Sequence, residues 1–186
     1  MLHVIPGNPV FETLSEKIVF KGRLITVVLK KLRGRKGVFN AELVVHPGAV
    51  VILPLKENRK IVFVKQYRHG AEEELLELPA GTLEEGENPE ECALRELEEE
   101  TGYKASKIKL LGIHYASPGY STEIFYSFVA SGLRKGSQKL EIDEEINVVE
   151  YDIKDVFKLV KDNVIKDSKT LATLALYMIK RDMMSF

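Results

Sequence analysis

The chain has 186 residues, 45% of them apolar, and a formal net charge of −1. This length is typical of one globular domain, or of one domain with a modest extension. No apolar run approaches the roughly 20 residues of a membrane-spanning helix, the first residues lack the pattern of a signal peptide, and the single cysteine, Cys92, excludes an internal disulfide. We therefore expect a cytoplasmic protein with no membrane partner.

The charges are distributed unevenly along the chain. The stretch from Glu72 to Glu100 contains 13 Glu and one basic residue, Arg95, which gives −12, whereas the remaining residues carry +11. An acidic block of this kind opposes contact with a nucleic-acid backbone, so we expect no nucleic-acid partner. It suits a cation site that works on an anionic ligand held by the basic remainder of the chain.

Apolar runs bounded by turn residues predict strands in both halves of the chain. The predicted strands cover 17–20, 24–29, 38–46, 49–55, 61–67, 108–115, 123–130 and 146–151. Two helices are predicted near the end, at 154–161 and 168–180, the second from apolar residues that recur on one helical face. This order predicts an α+β fold with a mixed β-sheet and helices against its faces, preceded by a small N-terminal β-sheet extension.

A further helix of about 13 residues is predicted from Pro89 to Thr101. Asn88 can cap its first turn, Pro89 suits the first helical position, and Gly102 suits the left-handed residue that ends a helix.

This helix concentrates acidic side chains on one side. Glu96, Glu99 and Glu100 fall in an arc of about 100° beside the apolar stripe that faces the core. Like charges at these spacings repel each other, and a hard divalent cation with oxygen ligands would reverse the sign of that interaction. The helix alone is equally compatible with a solvated acidic surface.

The loop ahead of the helix completes a longer pattern. Residues 81–103 match G-x5-E-x7-R-E-U-x-E-E-x-G-U, where U is apolar, at every fixed position. This pattern resembles the Nudix hydrolase signature. The resemblance implies a Nudix-type α/β/α sandwich over residues 44–180, with residues 1–43 as the extension, and hydrolysis of a nucleoside diphosphate linked to another group.

The resemblance also implies roles for individual residues. The metal would be Mg²⁺, with Mn²⁺ as a possible substitute, and its ligands would be Glu96, Glu99, Glu100, the carbonyl of Ala80, and Glu144 from a late loop at 142–148. Glu99, Glu100 and Glu144 would also be catalytic, with Glu145 as the alternative to Glu144. Structural roles fall to Gly81, Glu87, Arg95 and Gly102, and Arg95 is expected to hold Glu87 by a charge-assisted pair.

Flanking segments narrow the resemblance to the ADP-ribose pyrophosphatases, which release AMP and ribose 5-phosphate. Pro118, in the segment Ser117-Pro118-Gly119, lies 16 residues past Gly102, and Val64–His69 leads into Glu77–Gly81. The implied substrate contacts are Arg68, Pro118, Gly119, Glu123 and Arg23. The alternatives are structural: residues 117–119 could form a simple turn, and Arg68 could pair with the Glu72–Glu74 run.

Other functions stay open at this stage. A different nucleotide sugar, such as GDP-mannose, is the nearest alternative, and a non-catalytic ligand-sensing Nudix domain belongs to another class. A nicotinamide dinucleotide pyrophosphatase is disfavoured because no SQPWPFPxS-like segment is present.

The N-terminal extension predicts a homodimer. Its hairpin carries more apolar residues than an isolated arm should expose, and short β-ribbons are marginal without a partner. The resemblance implies that residues 1–47 pack against the second subunit. The strand at 39–45 lacks the arginines that some family members use there, and Arg23, Arg33 or Arg35 could substitute. The alternative is a hairpin folded onto its own domain.

Overall fold

The computed structural model describes residues 10–140 and 145–181 of the chain. These residues form two units, each described by itself below. The first contains the described residues up to His46 together with Ser117–Glu123, and the second contains Pro47–Ala116 and the described residues from Ile124 onward. No helix of the described ranges is long and apolar enough to cross a membrane.

The first unit is built on an antiparallel sheet in the order β1-β2-β3. Its strands are β1 (Glu12–Lys21), β2 (Thr26–Gly34) and β3 (Gly37–Val45). The first two are longer than the predicted hairpin, and cross-strand ion pairs lie in the added part of the ladder, with Glu12 paired to Arg33 and Glu16 to Lys30, each at 2.9 Å.

The 117–123 segment belongs to this unit through backbone hydrogen bonds. Val44 donates to the carbonyl of Tyr120 at 2.7 Å, and Thr122 donates to the carbonyl of Val44 at 2.9 Å. The loop thereby continues the ladder at the end of β3.

The second unit contains nine strands and three helices within the described residues. A mixed sheet has the order β7-β4-β10-β9, an antiparallel sheet the order β12-β5-β6, and β8 pairs with β11. The strands are β4 (Ala49–Pro54), β5 (Lys60–Arg68), β6 (Glu73–Glu77), β7 (Ala80–Thr82), β8 (Tyr103–Lys104), β9 (Lys107–Tyr115), β10 (Ile124–Ser131), β11 (Arg134–Lys135) and β12 (Ile146–Asp152). The helices are α1 (Pro89–Thr101), α2 (Ile153–Lys161) and α3 (Ser168–Lys180).

The sheets are covered by helices on both faces. Along β4, Val50 and Ile52 join an apolar cluster that includes Leu97 of α1, whereas Val51 joins a second cluster that includes Leu174 of α3. Every residue of β4 is buried, as its continuous apolar run predicts. The result is the predicted helix–sheet–helix layering.

Helix α1 has the predicted boundaries, and its ends show why. The side chain of Asn88 accepts a hydrogen bond from the backbone N–H of Glu90 at 2.8 Å. Gly102 has φ 69°, the left-handed conformation that glycine adopts without steric cost, and its N–H bonds the carbonyl of Glu98 at 2.8 Å. The acidic helix therefore begins and ends at fixed points.

Strand β6 is absent from the sequence-based prediction. Its residues, Glu-Glu-Leu-Leu-Glu, show no alternation of apolar and polar positions, so the stretch resembles a charged loop. In the structure it pairs with β5 from Glu73↔Arg68 to Glu77↔Val64. Backbone pairing with the strand just before it, which the side-chain pattern of these five residues does not signal, makes it a strand.

Candidate active site

The predicted metal-binding residues meet where α1 passes β7. Glu100 is only 3% exposed, and its Oε2 accepts a hydrogen bond from the backbone N–H of Ala80 at 3.0 Å. Glu96 and Glu99 each accept a hydrogen bond from Nη1 of Arg95, at 2.7 and 3.0 Å. Two of these carboxylates therefore lie against β7, Glu100 at Ala80 and Glu96 at Gly81, and Glu99 shares Arg95 with Glu96.

Arg95 connects the helix to the loop that precedes it. Its Nε donates to Oε1 of Glu87 at 2.9 Å, and its Nη2 donates to Oε2 of the same residue at 3.0 Å. The hydrogen bonds from Arg95 lower the pKa of Glu87 to about 2, and the Glu87 carboxylate in turn raises the pKa of Arg95. Loop and helix are therefore joined by a bidentate ion pair.

This pair predicts an acid-sensitive contribution to stability. The pKa of Glu87 is about 2 in the folded chain and near 4.3 in an unfolded one, so the folded state is favoured above the unfolded value and loses that advantage as the pH falls toward 2. Chemical denaturation of wild type and Glu87→Gln should give unfolding free energies whose difference shrinks between pH 6 and pH 2.5. Glu85→Gln, on the exposed part of the same loop, is the matched control. A constant difference would contradict the assignment.

Gly81 is required by the close approach of Glu96. A Cβ added at Gly81 would fall inside the carboxylate group of Glu96, nearer than side chains pack. The bare backbone of β7 therefore lets the carboxylate lie against Gly81. Sequence analysis assigned Gly81 a structural role by resemblance, and the contact with Glu96 supplies a physical reason for it.

Cys92 is fully buried beside this region and does not supply a nucleophile. Burial, followed by the hydrogen bond to Glu87, raises the pKa of its thiol, so the group stays neutral. Its place in α1 is that of a small apolar residue.

The residues present fit a hard divalent cation by their chemistry. Carboxylate oxygens and a backbone carbonyl are the donors that Mg²⁺ prefers, and the space above Gly81 admits one of these carboxylates. Among residues 10–140 and 145–181, no three acidic, His or Cys side chains gather into a metal-binding group. Arg95 holds Glu96 and Glu99, while Glu100 bonds to Ala80.

The late-loop carboxylate is only partly covered by the structure. Glu144 lies outside the described residues, and Glu145, its alternative, is exposed just before β12. The metal-binding and catalytic roles of both stay predictions.

Arg68 lies against an acid that the sequence analysis did not select. Its Nε and Nη2 donate to the two carboxylate oxygens of Glu77 at 2.9 and 2.7 Å, instead of pairing with the Glu72–Glu74 run. Lys169 of α3 also donates to Glu77, at 2.6 Å. Lys169 lies 92 residues from Glu77 in the sequence, so no local pattern could have found this cluster.

The remaining predicted substrate residues lie in the first unit. Arg23 sits in the turn between β1 and β2, and Pro118 and Gly119 sit in a turn where Tyr120 and Ser121 donate to the carbonyl of Ser117 at 3.1 and 2.9 Å. The carboxylate of Glu123 lies 3.8 Å from Nδ1 of His46. Their substrate contacts stay predictions.

Comparison with known proteins identifies the family. Residues 45–174 match the family model described as NUDIX domain. The chain is 38% identical over 172 residues to the ADP-ribose pyrophosphatase of Bacillus subtilis (strain 168), covering 91% of this chain and 93% of the relative. It is 37% identical over 163 residues to the methanol dehydrogenase activator of Bacillus methanolicus, covering 86% and 88%.

A solved structure shares the architecture. It is described as an ADP compounds hydrolase and superposes with a TM-score of 0.83, 24% sequence identity, and coverage of 93% of this chain and 95% of its own. The helix–sheet–helix fold is thus a shared arrangement. The chain belongs to the NUDIX family, and it is a Nudix hydrolase that acts on pyrophosphate bonds. The predicted family and fold class are confirmed.

Proposed function

We propose that this enzyme hydrolyses the pyrophosphate bond of ADP-ribose, giving AMP and ribose 5-phosphate, with Mg²⁺ as its cofactor. The observation that carries the proposal is that Glu100 and Glu96 lie against Ala80 and Gly81 of β7, while Arg95 holds Glu96 together with Glu99. The 38% identity to an ADP-ribose pyrophosphatase over 91% of this chain supports this substrate.

The residues of the chain divide the work as follows. Glu96, Glu99, Glu100 and the Ala80 carbonyl would hold Mg²⁺, which when bound neutralises and polarises phosphoryl oxygens. Glu144, or else Glu145, would accept a proton from the attacking water.

Two basic residues would support this chemistry. Arg95, through its pair with Glu87, orients the carboxylates without touching the substrate. Arg68 would bind the pyrophosphate, for which a planar fork suits two oxygens.

A substrate panel tests the proposal. Purified protein is incubated with ADP-ribose, GDP-mannose, NADH or diadenosine polyphosphates at equal Mg²⁺ concentrations, and kcat/KM is measured for each. We expect ADP-ribose to be preferred, EDTA to abolish turnover, and added Mg²⁺ to restore it. A kcat/KM ten times higher for GDP-mannose than for ADP-ribose would make GDP-mannose the assigned substrate. Binding without turnover of any compound would favour a ligand-sensing domain.

We also propose that the protein is a cytoplasmic homodimer in which residues 1–47 contact the second subunit. Apolar side chains are exposed on the first unit, with Ile18, Val19 and Phe20 on β1 and Leu24 in the turn that follows it. Such an array of exposed apolar side chains is typical of an interface.

Light scattering on the full chain and on a shortened chain beginning at Val44 tests the dimer. The full-length protein should scatter as a particle with twice the 21.0 kDa mass of one chain, and the shortened chain should be monomeric with reduced activity. A fully active full-length monomer at micromolar concentration would contradict the dimer.

A further inference from the structure

Arg68 is held by one buried acid. Glu77, the last residue of β6, has a side chain only 1% exposed, and both of its oxygens accept hydrogen bonds from the Arg68 guanidinium. Bidentate pairing of this kind fixes the plane of the guanidinium. The Arg68 side chain is still 39% exposed, and in the described part of the chain its Nη1 makes no hydrogen bond.

Glu77 has a second cation that is nearly buried. Nζ of Lys169, whose side chain is 12% exposed, donates to Oε2 of Glu77 and also lies 2.9 Å from Oδ1 of Asp167, the residue that caps α3. Although burial alone would raise the pKa of Glu77, the hydrogen bond from Arg68 and the charge of Lys169 lower it. Glu77 therefore carries a full negative charge that Arg68 does not have to balance alone.

The start of α3 is fixed to the same segment of chain. Oγ1 of the fully buried Thr170 accepts a hydrogen bond from the backbone N–H of Leu78 at 2.9 Å. Lys169 and Thr170 thus hold two consecutive residues, Glu77 and Leu78, which lead directly into Ala80.

Arg68 also lies within electrostatic range of the α1 carboxylates. Burial opposes its charge, but Glu77 and, at longer range, Glu100 raise the pKa of its guanidinium. Arg68 is bonded to Glu77, three residues ahead of Ala80, and the backbone N–H of Ala80 bonds Glu100, so the fixed cation is attached to the chain segment that leads to the proposed metal site.

We infer that Glu77 and Lys169 are positioning residues for substrate binding. Glu77 orients Arg68 so that Nη1 is presented to a phosphoryl oxygen. Lys169 neutralises the negative charge of the buried Glu77 carboxylate when Arg68 also binds an anion. A buried acid with a single cation would instead compete with the substrate for that cation. The inference rests on the proposed function, because it requires a pyrophosphate substrate beside α1.

Steady-state kinetics with ADP-ribose and Mg²⁺ test the positioning role of Glu77 and Lys169. Glu77→Gln, Lys169→Met and Arg68→Lys should each raise KM by about tenfold, as expected for a lost charge-assisted hydrogen bond, with kcat changed by less than about threefold. The double variant of Glu77→Gln and Arg68→Lys should be no worse than Arg68→Lys alone, because the two residues act as a unit. Lys169→Arg should restore KM.

Lys166→Met is the matched control. Lys166 pairs with Glu73 at 2.8 Å, but both side chains are about half exposed, so its loss should leave KM unchanged. Circular dichroism and thermal unfolding establish that each variant is folded. If Lys169→Met does not fold, Glu77→Gln and Lys169→Arg still test the inference.

The outcomes separate this inference from the proposed function. Additive effects in the double variant, or a loss of kcat with unchanged KM in Glu77→Gln, would overturn the positioning role. An unchanged KM in Arg68→Lys would overturn both the inference and the contact between Arg68 and pyrophosphate. If wild type prefers another nucleoside diphosphate, the proposed substrate is wrong, and the same variants tested on that compound decide the inference.

Discussion

Gly81→Ala should remove nearly all activity while leaving the fold in place. The added methyl group would overlap the carboxylate of Glu96, which is the far end of a flexible side chain and can move away. The cost in unfolding free energy should therefore be small, but Glu96 can no longer lie against β7. We expect kcat to fall by about a hundredfold or more, because metal-dependent charge stabilisation contributes several kcal/mol.

The measurement combines kinetics with thermal unfolding. Gly70→Ala is the matched control, since nothing lies within 4 Å of a Cβ at that position and its activity should be unchanged. A Gly81→Ala protein with wild-type kcat would show that the position of Glu96 against β7 is irrelevant to catalysis. A protein that fails to fold would show that Glu96 is not free to move.

Glu100→Gln should have the second large effect. The amide oxygen of the new side chain can still accept the hydrogen bond from Ala80, and removing one of three like charges relieves repulsion along α1. The protein should therefore fold normally. Loss of a buried metal-binding charge should lower kcat by about a hundredfold or more.

Turnover and Mg²⁺-induced thermal stabilisation are the readouts. In wild type, Mg²⁺ should raise the melting temperature, and in Glu100→Gln this rise should be reduced at the same ion concentration. Glu91→Gln, on the exposed first turn of the same helix, should behave like wild type. Unchanged turnover in Glu100→Gln would refute the metal assignment.

The parts of the site that sequence predicted are those with local causes. Helix α1 begins at an asparagine cap and ends at Gly102, so its bounds and the face shared by its glutamates follow from residue spacing. Helix α3, with apolar residues on one face, also has its predicted bounds at Ser168–Lys180. In both, short-range geometry and long-range packing favour the same structure.

The parts that sequence missed depend on contacts between elements. Strand β6 forms because its backbone pairs with β5, the strand before it, and Glu77 is bonded both by Arg68 of β5 and by Lys169 of α3, 92 residues later. A run of glutamates gives no local signal to distinguish the buried member from its solvated neighbours. Only the fold makes Glu77 different from Glu74.

Arg95 affects the metal-free state of the protein. It is the one basic residue of α1, and it contacts Glu87, Glu96 and Glu99 at once. The chain thus supplies an internal counterion for its own acidic helix. We therefore expect the chain to fold without the metal, in contrast to small metalloproteins that fold only when the ion binds.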